Sequence, residues 1–136
     1  KKGFLQFQCV LPDESARIGI RQMLERISNA RAASFLGVLK TFGKEGLGDL
    51  SFPRSGVTLS LDIPARDGGY ELVKCLDAMT LDHGGRVYLA KDVTLTAERF
   101  VLMYPKLDKF RETLSRYDPT GVFDSDLAQR LKIRTR

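Results

Sequence analysis

Two segments of this chain alternate apolar and polar residues with strict period two, and each is followed by a stretch that repeats at helical spacing. That order of periods restricts the fold more than any other feature. In "FLQFQCVL" (residues 4–11), Leu5, Phe7, Cys9 and Leu11 fall on one face and Gln6, Gln8 and Val10 on the other. Successive side chains of a strand point to opposite sides of its sheet, so this segment is a strand with unlike faces. In "VTLSLDI" (57–63), Val57, Leu59, Leu61 and Ile63 oppose Thr58, Ser60 and Asp62, and Pro64 stops the run. After the first strand, Pro12 and Asp13 open a helix whose Ile20, Met23, Leu24 and Ile27 form one buried stripe. "SFLGVLKTF" (34–42) reads as a second strand, running into the glycine-rich "GKEGLGDLSFPRSG", broken by Pro53 and Gly56. After the turn "PARDGG", the spacing predicts a helix over 70–81 that buries Leu72, Val73, Leu76 and Met79 and ends at Gly84 and Gly85. "GGRVYLAKD" (84–92) supplies the fourth strand.

The order is β-α-β-β-α-β, that of a ferredoxin-like split βαβ unit: an α+β fold in which an antiparallel sheet carries two helices on one face. The remainder reads as C-terminal helices: "TLTAERFVLMY", closed by Pro105; "KLDKFRETLSRY", with Leu107, Phe110 and Leu114 on one stripe; and "GVFDSDLAQRL". No repeat or linker interrupts the 136 residues, a length that suits one domain, 1–136.

The 43% hydrophobic and 29% charged composition is that of a soluble globular chain, and its apolar runs fall far short of the roughly 20 residues that span a membrane. The start lacks a small-residue cleavage site, which argues against a signal peptide. A strand beginning almost at residue 1, with no initiator Met, suggests a piece of a longer chain. The expected location is cytoplasmic or peripheral to the membrane. Cys9 and Cys75 form neither a disulfide framework nor a metal site and read as buried small hydrophobes. His83 lacks a Cys or His neighbour in sequence and reads as a helix-end residue, not a metal ligand. The net charge of +5 permits an anionic partner without choosing one. Its densest cluster, Arg130, Lys132, Arg134 and Arg136, reads as a solvated tail.

The informative face is the one turned away from the helices. A water-facing sheet usually carries Lys, Glu, Arg and Thr, whereas here the candidates are Gln6, Gln8, Thr58, Ser60, Asp62, Arg86 and Tyr88. Amides, hydroxyls and a phenol suit a wall that hydrogen-bonds a polar ligand, although a solvated face fits the composition equally well. Lys40 and Lys91 stand near strand ends, where lysines are ordinarily solvent-exposed; a functional lysine there would supply a fixed positive charge to a developing anion. "GKEGLGD" lacks the spacing and the following helix of a phosphate-binding loop, and no Gly-x-Ser-x-Gly elbow is present.

With these residues in view, "FLQFQCVLP", "SFLGVLKTFG", "LSFPRSGVTLSLDIP", "GGRVYLAKD" and "MYPKLDKFRETLSRYDPTGVFDSDLAQRL" resemble, in order, the C-terminal part of the decaprenylphosphoryl-β-D-ribose 2-oxidase family, within the vanillyl-alcohol-oxidase class of flavoproteins. The resemblance covers nearly all of the chain. "LAKD" after "GGR", with "SFP", is specific to that branch; the Tyr-Pro…Phe…Arg…Asp-Pro…Gly…Phe ending is common to the class.

The resemblance implies a substrate-binding cap domain whose sheet roofs a flavin ring. The family's N-terminal FAD-binding domain would be the chief partner and lies outside these residues. The implied reaction oxidises the ribose 2-hydroxyl of a polyprenyl-phosphate sugar by hydride transfer to FAD, a cell-wall step completed by a partner keto-sugar reductase. It further implies that Lys91 contacts flavin and substrate as the active-site lysine, favouring an anionic reduced ring, and that Tyr88 serves the same catalytic pocket. Gln8, Lys40, Thr58 and Ser60 would line the substrate site. Ser60 falls where mycobacterial members carry a cysteine attacked by covalent inhibitors. That departure bears on covalent inhibition and on the identity of the lipid-sugar, not on the hydride step. Residues 1–136 alone are expected to be inactive and colourless.

Two other readings compete. A sugar-lactone or alditol oxidase of the same class would show a histidine-rich run near "LAKD", and this chain has one histidine. A basic ferredoxin-like RNA-binding module would stack bases on aromatics of its middle strands, but these show no Lys/Arg-Gly-Phe-x-Phe run and the outward face carries one aromatic, Tyr88; no nucleic-acid partner is expected.

Overall fold

The computed structural model describes residues 3–32, 35–66 and 68–134. Ser34 of the expected second strand, Asp67 of the expected turn and Arg136 of the basic tail lie outside the described residues.

Among the described residues, four strands and five α-helices form: β1 (Phe4–Leu11), α1 (Asp13–Asn29), β2 (Gly37–Phe42), β3 (Gly56–Pro64), α2 (Gly69–Asp82), β4 (Arg86–Val87), α3 (Ala97–Met103), α4 (Leu107–Tyr117) and α5 (Asp126–Arg130). The sheet order is β2-β3-β1-β4, antiparallel throughout. β1 and β2 are thus separated by β3, and β3 and β4 by β1, the split arrangement expected for this α+β fold.

The inward face of β1 is the predicted one: Leu5, Phe7, Cys9 and Leu11 are buried. They meet Leu59, Leu61 and Ile63 of β3, Met23 and Ile27 of α1, and Val73 and Leu76 of α2 in one core. Burial of each such side chain contributes roughly 1.5–3 kcal/mol. Cys9 lies with its Sγ 3.9 Å from Met23 Sδ, and burial pushes its thiol up to about 12, so it behaves as a small hydrophobe. Cys75 is half-buried.

The expectations for Leu24 and for the fourth strand fail. Leu24 does not complete the α1 stripe; it is 46% exposed and lines a shallow groove with Ile20, Val57 and Leu39. The cause is topological, because β2 is an edge strand and no further strand lies beyond it to cover Leu24. The fourth strand is also far shorter than 84–92. It pairs over two residues, after which Leu89–Lys91 form a 3₁₀ turn closed by the Lys91 N–H on the Tyr88 carbonyl (2.9 Å). A short apolar run does not distinguish an edge strand from such a turn.

The glycine pair before β4 is required by geometry. Gly84 ends α2 in the left-handed region (φ +68°), with its N–H on the Leu81 carbonyl. At Gly85 a Cβ would lie 2.5 Å from the Val10 carbonyl oxygen. Only glycine at both positions lets the chain leave α2 and press directly onto β1, and that approach fixes where Arg86 and Tyr88 point.

The basic tail is tied to the fold at several points. Leu131 and Ile133 are buried; Arg130 pairs with Asp92 (2.8 Å), Arg134 with Asp118, and Arg111 reaches back to the carbonyls of Lys132 and Ile133. Arg130 and Arg134 are thus engaged within the fold, while Lys132 is exposed. Among the described residues, no helix is long and apolar enough to cross a membrane.

Candidate active site on the polar face of the sheet

Register places the candidate residues in rows. Val38, Ser60, Gln8 and Tyr88 form one row across β2, β3, β1 and the end of β4; Lys40, Thr58, Val10 and Arg86 form the next. Tyr88 extends the row because its N–H donates to the Gln8 carbonyl (2.8 Å). Gln8, Lys40, Thr58, Ser60 and Tyr88 therefore share the face opposite the helices. Lys91 lies beyond the strand in the 3₁₀ turn, yet its Nζ donates to Ser60 Oγ at 2.9 Å, which brings its charge back over that face.

These residues play unlike parts. Gln8 and Thr58 are buried, and Gln8 Nε2 donates to Thr58 Oγ1 (3.0 Å). That bond ties them into a polar floor. Ser60, Tyr88 and Lys91 are half-buried and accessible. Lys40 is exposed on the edge strand, its Nζ 5.9 Å from the centre of the Phe42 ring and apart from the Lys91–Ser60 pair. His83 lies on the helix side, its Nε2 2.8 Å from Gln22 Oε1.

Sequence reasoning missed an aromatic wall and the clamp that builds it. Tyr88 stacks on Phe52 (4.6 Å between centres), which meets the edge of Phe42 (5.7 Å). Phe52 comes from the glycine-rich loop, which has no periodicity; the one signal was an aromatic beside proline in "SFP". The loop is held by Arg86, whose Nη1 donates to Glu45 Oε1 (2.8 Å) and to the Ser51 carbonyl (2.7 Å). The Arg86 side chain is only 6% exposed and its guanidinium lies 5.2 Å above the Tyr104 ring. Arg86, then Lys106, hold the Glu45 carboxyl below the ordinary carboxylate range. The Tyr104 hydroxyl donates to the Val87 carbonyl (2.6 Å), fixing the ring under the guanidinium. Alternation alone put Arg86 on the polar face without revealing that it is buried. It likewise overlooked Phe4 and Phe42, which share that face.

Arg86→Met is expected to release this loop. It removes two charge-assisted hydrogen bonds, each contributing roughly 1.5–3 kcal/mol where charged groups are involved. Tryptic cleavage after Lys44 should quicken about tenfold or more, since each 1.4 kcal/mol is about a factor of ten in the open population. An unchanged cleavage rate would show that the loop does not depend on this clamp.

The arrangement offers a directed cation, hydroxyl and amide hydrogen-bonding groups, and an aromatic wall, brought over one face of the sheet by strands, a turn and a loop. It fits one polar edge of a flat heteroaromatic ring together with a hydroxylated ligand. In the turn before α2 the Gly69 N–H is engaged by the Arg66 carbonyl (2.8 Å).

Comparisons with known proteins bear out the resemblance read from the sequence. The family model for D-arabinono-1,4-lactone oxidase matches residues 71–131. Decaprenylphosphoryl-beta-D-ribose oxidase of Mycolicibacterium smegmatis is 41% identical over 131 residues, 96% of this chain and 28% of that protein. An uncharacterized protein in the mprA 5' region of Streptomyces coelicolor is 40% identical over the same share of this chain and 35% of its own length. The chain thus spans about a third of the length of the curated relatives it matches. The lactone-oxidase model takes in Tyr88 and Lys91 but not Gln8, Lys40, Thr58 or Ser60, whereas the two relatives match along nearly the whole sheet.

Proposed function

We propose that these residues form the substrate-binding domain of an FAD-dependent oxidoreductase that oxidises a sugar hydroxyl, with the 2-hydroxyl of a polyprenyl-phosphoryl ribose as substrate. The observation that carries this reading is the Lys91–Ser60 pair over the Gln8–Thr58 floor. It sets a fixed positive charge beside a hydrogen-bonding surface, and the match to a decaprenylphosphoryl-ribose oxidase extends over 96% of the chain.

Bound FAD would accept the hydride leaving the sugar carbon. Lys91 would stand between the ring's polar edge and the head group of the substrate, where its charge favours negative charge that develops there. Ser60 fixes the direction of the Lys91 ammonium. Tyr88, braced on Phe52, presents a phenol to the sugar, and the Gln8–Thr58 floor sets its orientation. The flavin's nucleotide would be held by a domain outside residues 1–136, the principal partner in this reading. A reductase of the keto product is the expected further partner, with action at the cytoplasmic side or surface of a membrane.

A lactone substrate is the second reading, favoured by the family model over 71–131. The two separate in one experiment. In the full-length protein, anaerobic mixing with farnesylphosphoryl ribose should bleach the flavin band, and D-arabinono-1,4-lactone should leave it intact. The reverse pattern would move the chain to the lactone oxidases. Residues 1–136 expressed alone should elute colourless from gel filtration; a flavin absorbance that co-elutes would overturn the division of labour between two domains.

A further inference from the structure

The polar face does not stay polar along its length. Beyond the row of Val38, Ser60 and Gln8 lies that of Asp62 and Gln6, where the Asp62 N–H reaches the Leu36 carbonyl (3.4 Å) and continues the pairing of the edge strand. Beyond that, Phe4 opposes Pro64 on the same face as Gln6 and Gln8. Phe4 packs edge-to-face on Phe35 with centres 5.8 Å apart. Phe4 and Leu36 are half exposed, Phe35 is 73% exposed, and Val38 shares Ser60's own row. Single exposed apolar residues are ordinary on a protein surface; four in a contiguous strip, beginning beside a candidate ligand site, are not.

The strip has a direction and a length. It starts at Val38, opposite the serine that anchors Lys91, and ends at Phe4, four residues further along the neighbouring strands. At the rise of a strand this is about 13 Å. A ligand with a polar, anionic head at Ser60 and Lys91 would therefore lay any attached hydrocarbon on Val38, Leu36, Phe35 and Phe4. A free sugar or a lactone would leave the strip uncovered.

We propose that this strip receives the first isoprenoid units of a polyprenyl phosphate whose head group lies at Ser60 and Lys91. The proposal deepens the oxidase reading and rests on it for the position of the head group. The continuity of the strip with the polar row selects an amphiphile over a second protein surface.

The test uses calorimetric titration of the full-length protein with inorganic phosphate, dimethylallyl phosphate, geranyl phosphate and farnesyl phosphate. Affinity should rise about tenfold or more from dimethylallyl to farnesyl phosphate, well within the transfer free energy of the added carbons. It should level off once the chain outruns Phe4. Phe4→Ser combined with Phe35→Ser should flatten the series while leaving inorganic phosphate unchanged. Leu36→Ser alone should lower its slope, which keeps the test open if the double variant misfolds. Affinity independent of chain length would overturn the proposal and assign the strip to other residues of the longer protein. A chain-length gain that survives the variants would overturn it too, because the tail would lie elsewhere. None of these titrations depends on hydride transfer, so failure of the oxidase reading would appear separately, as a flavin band that no sugar bleaches.

Discussion

Lys91→Ala in the full-length protein should slow sugar-dependent flavin bleaching by about a hundred- to a thousand-fold with little change in thermal stability. The magnitude is that of removing one preorganised electrostatic donor from an active site, roughly 3–4 kcal/mol of transition-state stabilisation. The fold should survive because Lys91 lies in a 3₁₀ turn held by the Lys91 N–H on the Tyr88 carbonyl, a backbone bond that alanine keeps. Its side chain bonds a single hydroxyl, that of Ser60, in a half-buried setting, so its deletion strands no deeply buried charge. Ser60→Ala provides the graded comparison. It leaves the cation in place and removes only its anchor, so turnover should fall about tenfold, with the larger part in kcat. Stopped-flow absorbance on both variants checks the order. Equal losses would make the hydroxyl itself the essential group. A fully active Lys91→Ala protein would reduce the chain to a binding or interaction domain.

The contrast between Lys91 and Lys40 shows what the sequence conveyed and where it ran out. Period-two alternation located β1 and β3, and with the helical stretches it set the split βαβ order, because burial on one face is what imposes that period. The same alternation put Gln8, Thr58 and Ser60 on a common face. It gave no means of ranking the two lysines. Lys91 owes its position to a turn that breaks the alternation, and Lys40 owes its exposure to an edge strand, a fact of sheet order. Phe52 and Glu45 come from a loop with no period, which Arg86 holds through Ser51 and Glu45, 35 and 41 residues away. Long-range ion pairs leave no local pattern, so the clamp and the wall it builds were legible only in three dimensions. Arg130 and Arg134 teach the same lesson in reverse: a run of like charge reads as solvated until its carboxylate partners, Asp92 and Asp118, are found.

Asp77→Asn should stabilise the protein at neutral pH, although it deletes a charge that sits in a hydrogen bond. Asp77 lies on α2, 1% exposed, and accepts a bond from Thr94 Oγ1 (2.6 Å). Burial raises its carboxyl from 3.8 to about 6; the Thr94 bond opposes this, the Asp92 charge adds to it, and Arg99 and Arg130 offset part of it. Because the folded value is raised, the stability that Asp77 contributes is fully present below about pH 4 and is lost as pH rises through about 6. Above that range the fold carries an ionised group it would hold more favourably with its proton. A shift of about two units corresponds to about 3 kcal/mol, an upper limit on the gain. Asparagine keeps an oxygen for the Thr94 hydroxyl but must place an amide where an acceptor stood, so a gain of about 1–2 kcal/mol is expected. In a domain of this size that is a rise of roughly 5 °C in Tm at pH 7.5. At pH 4 the carboxyl is protonated in the native protein too, and the two melting curves should converge. Calorimetry at the two pH values decides the matter: a variant less stable at pH 7.5 would mean that Arg99 and Arg130 stabilise the ionised form by more than burial costs. Activity should follow the site and not the stability. Thr94 still ties α2 to residues 92–95, where Asp92 holds the Leu95 N–H and Arg130, so the turn bearing Lys91 keeps its anchor.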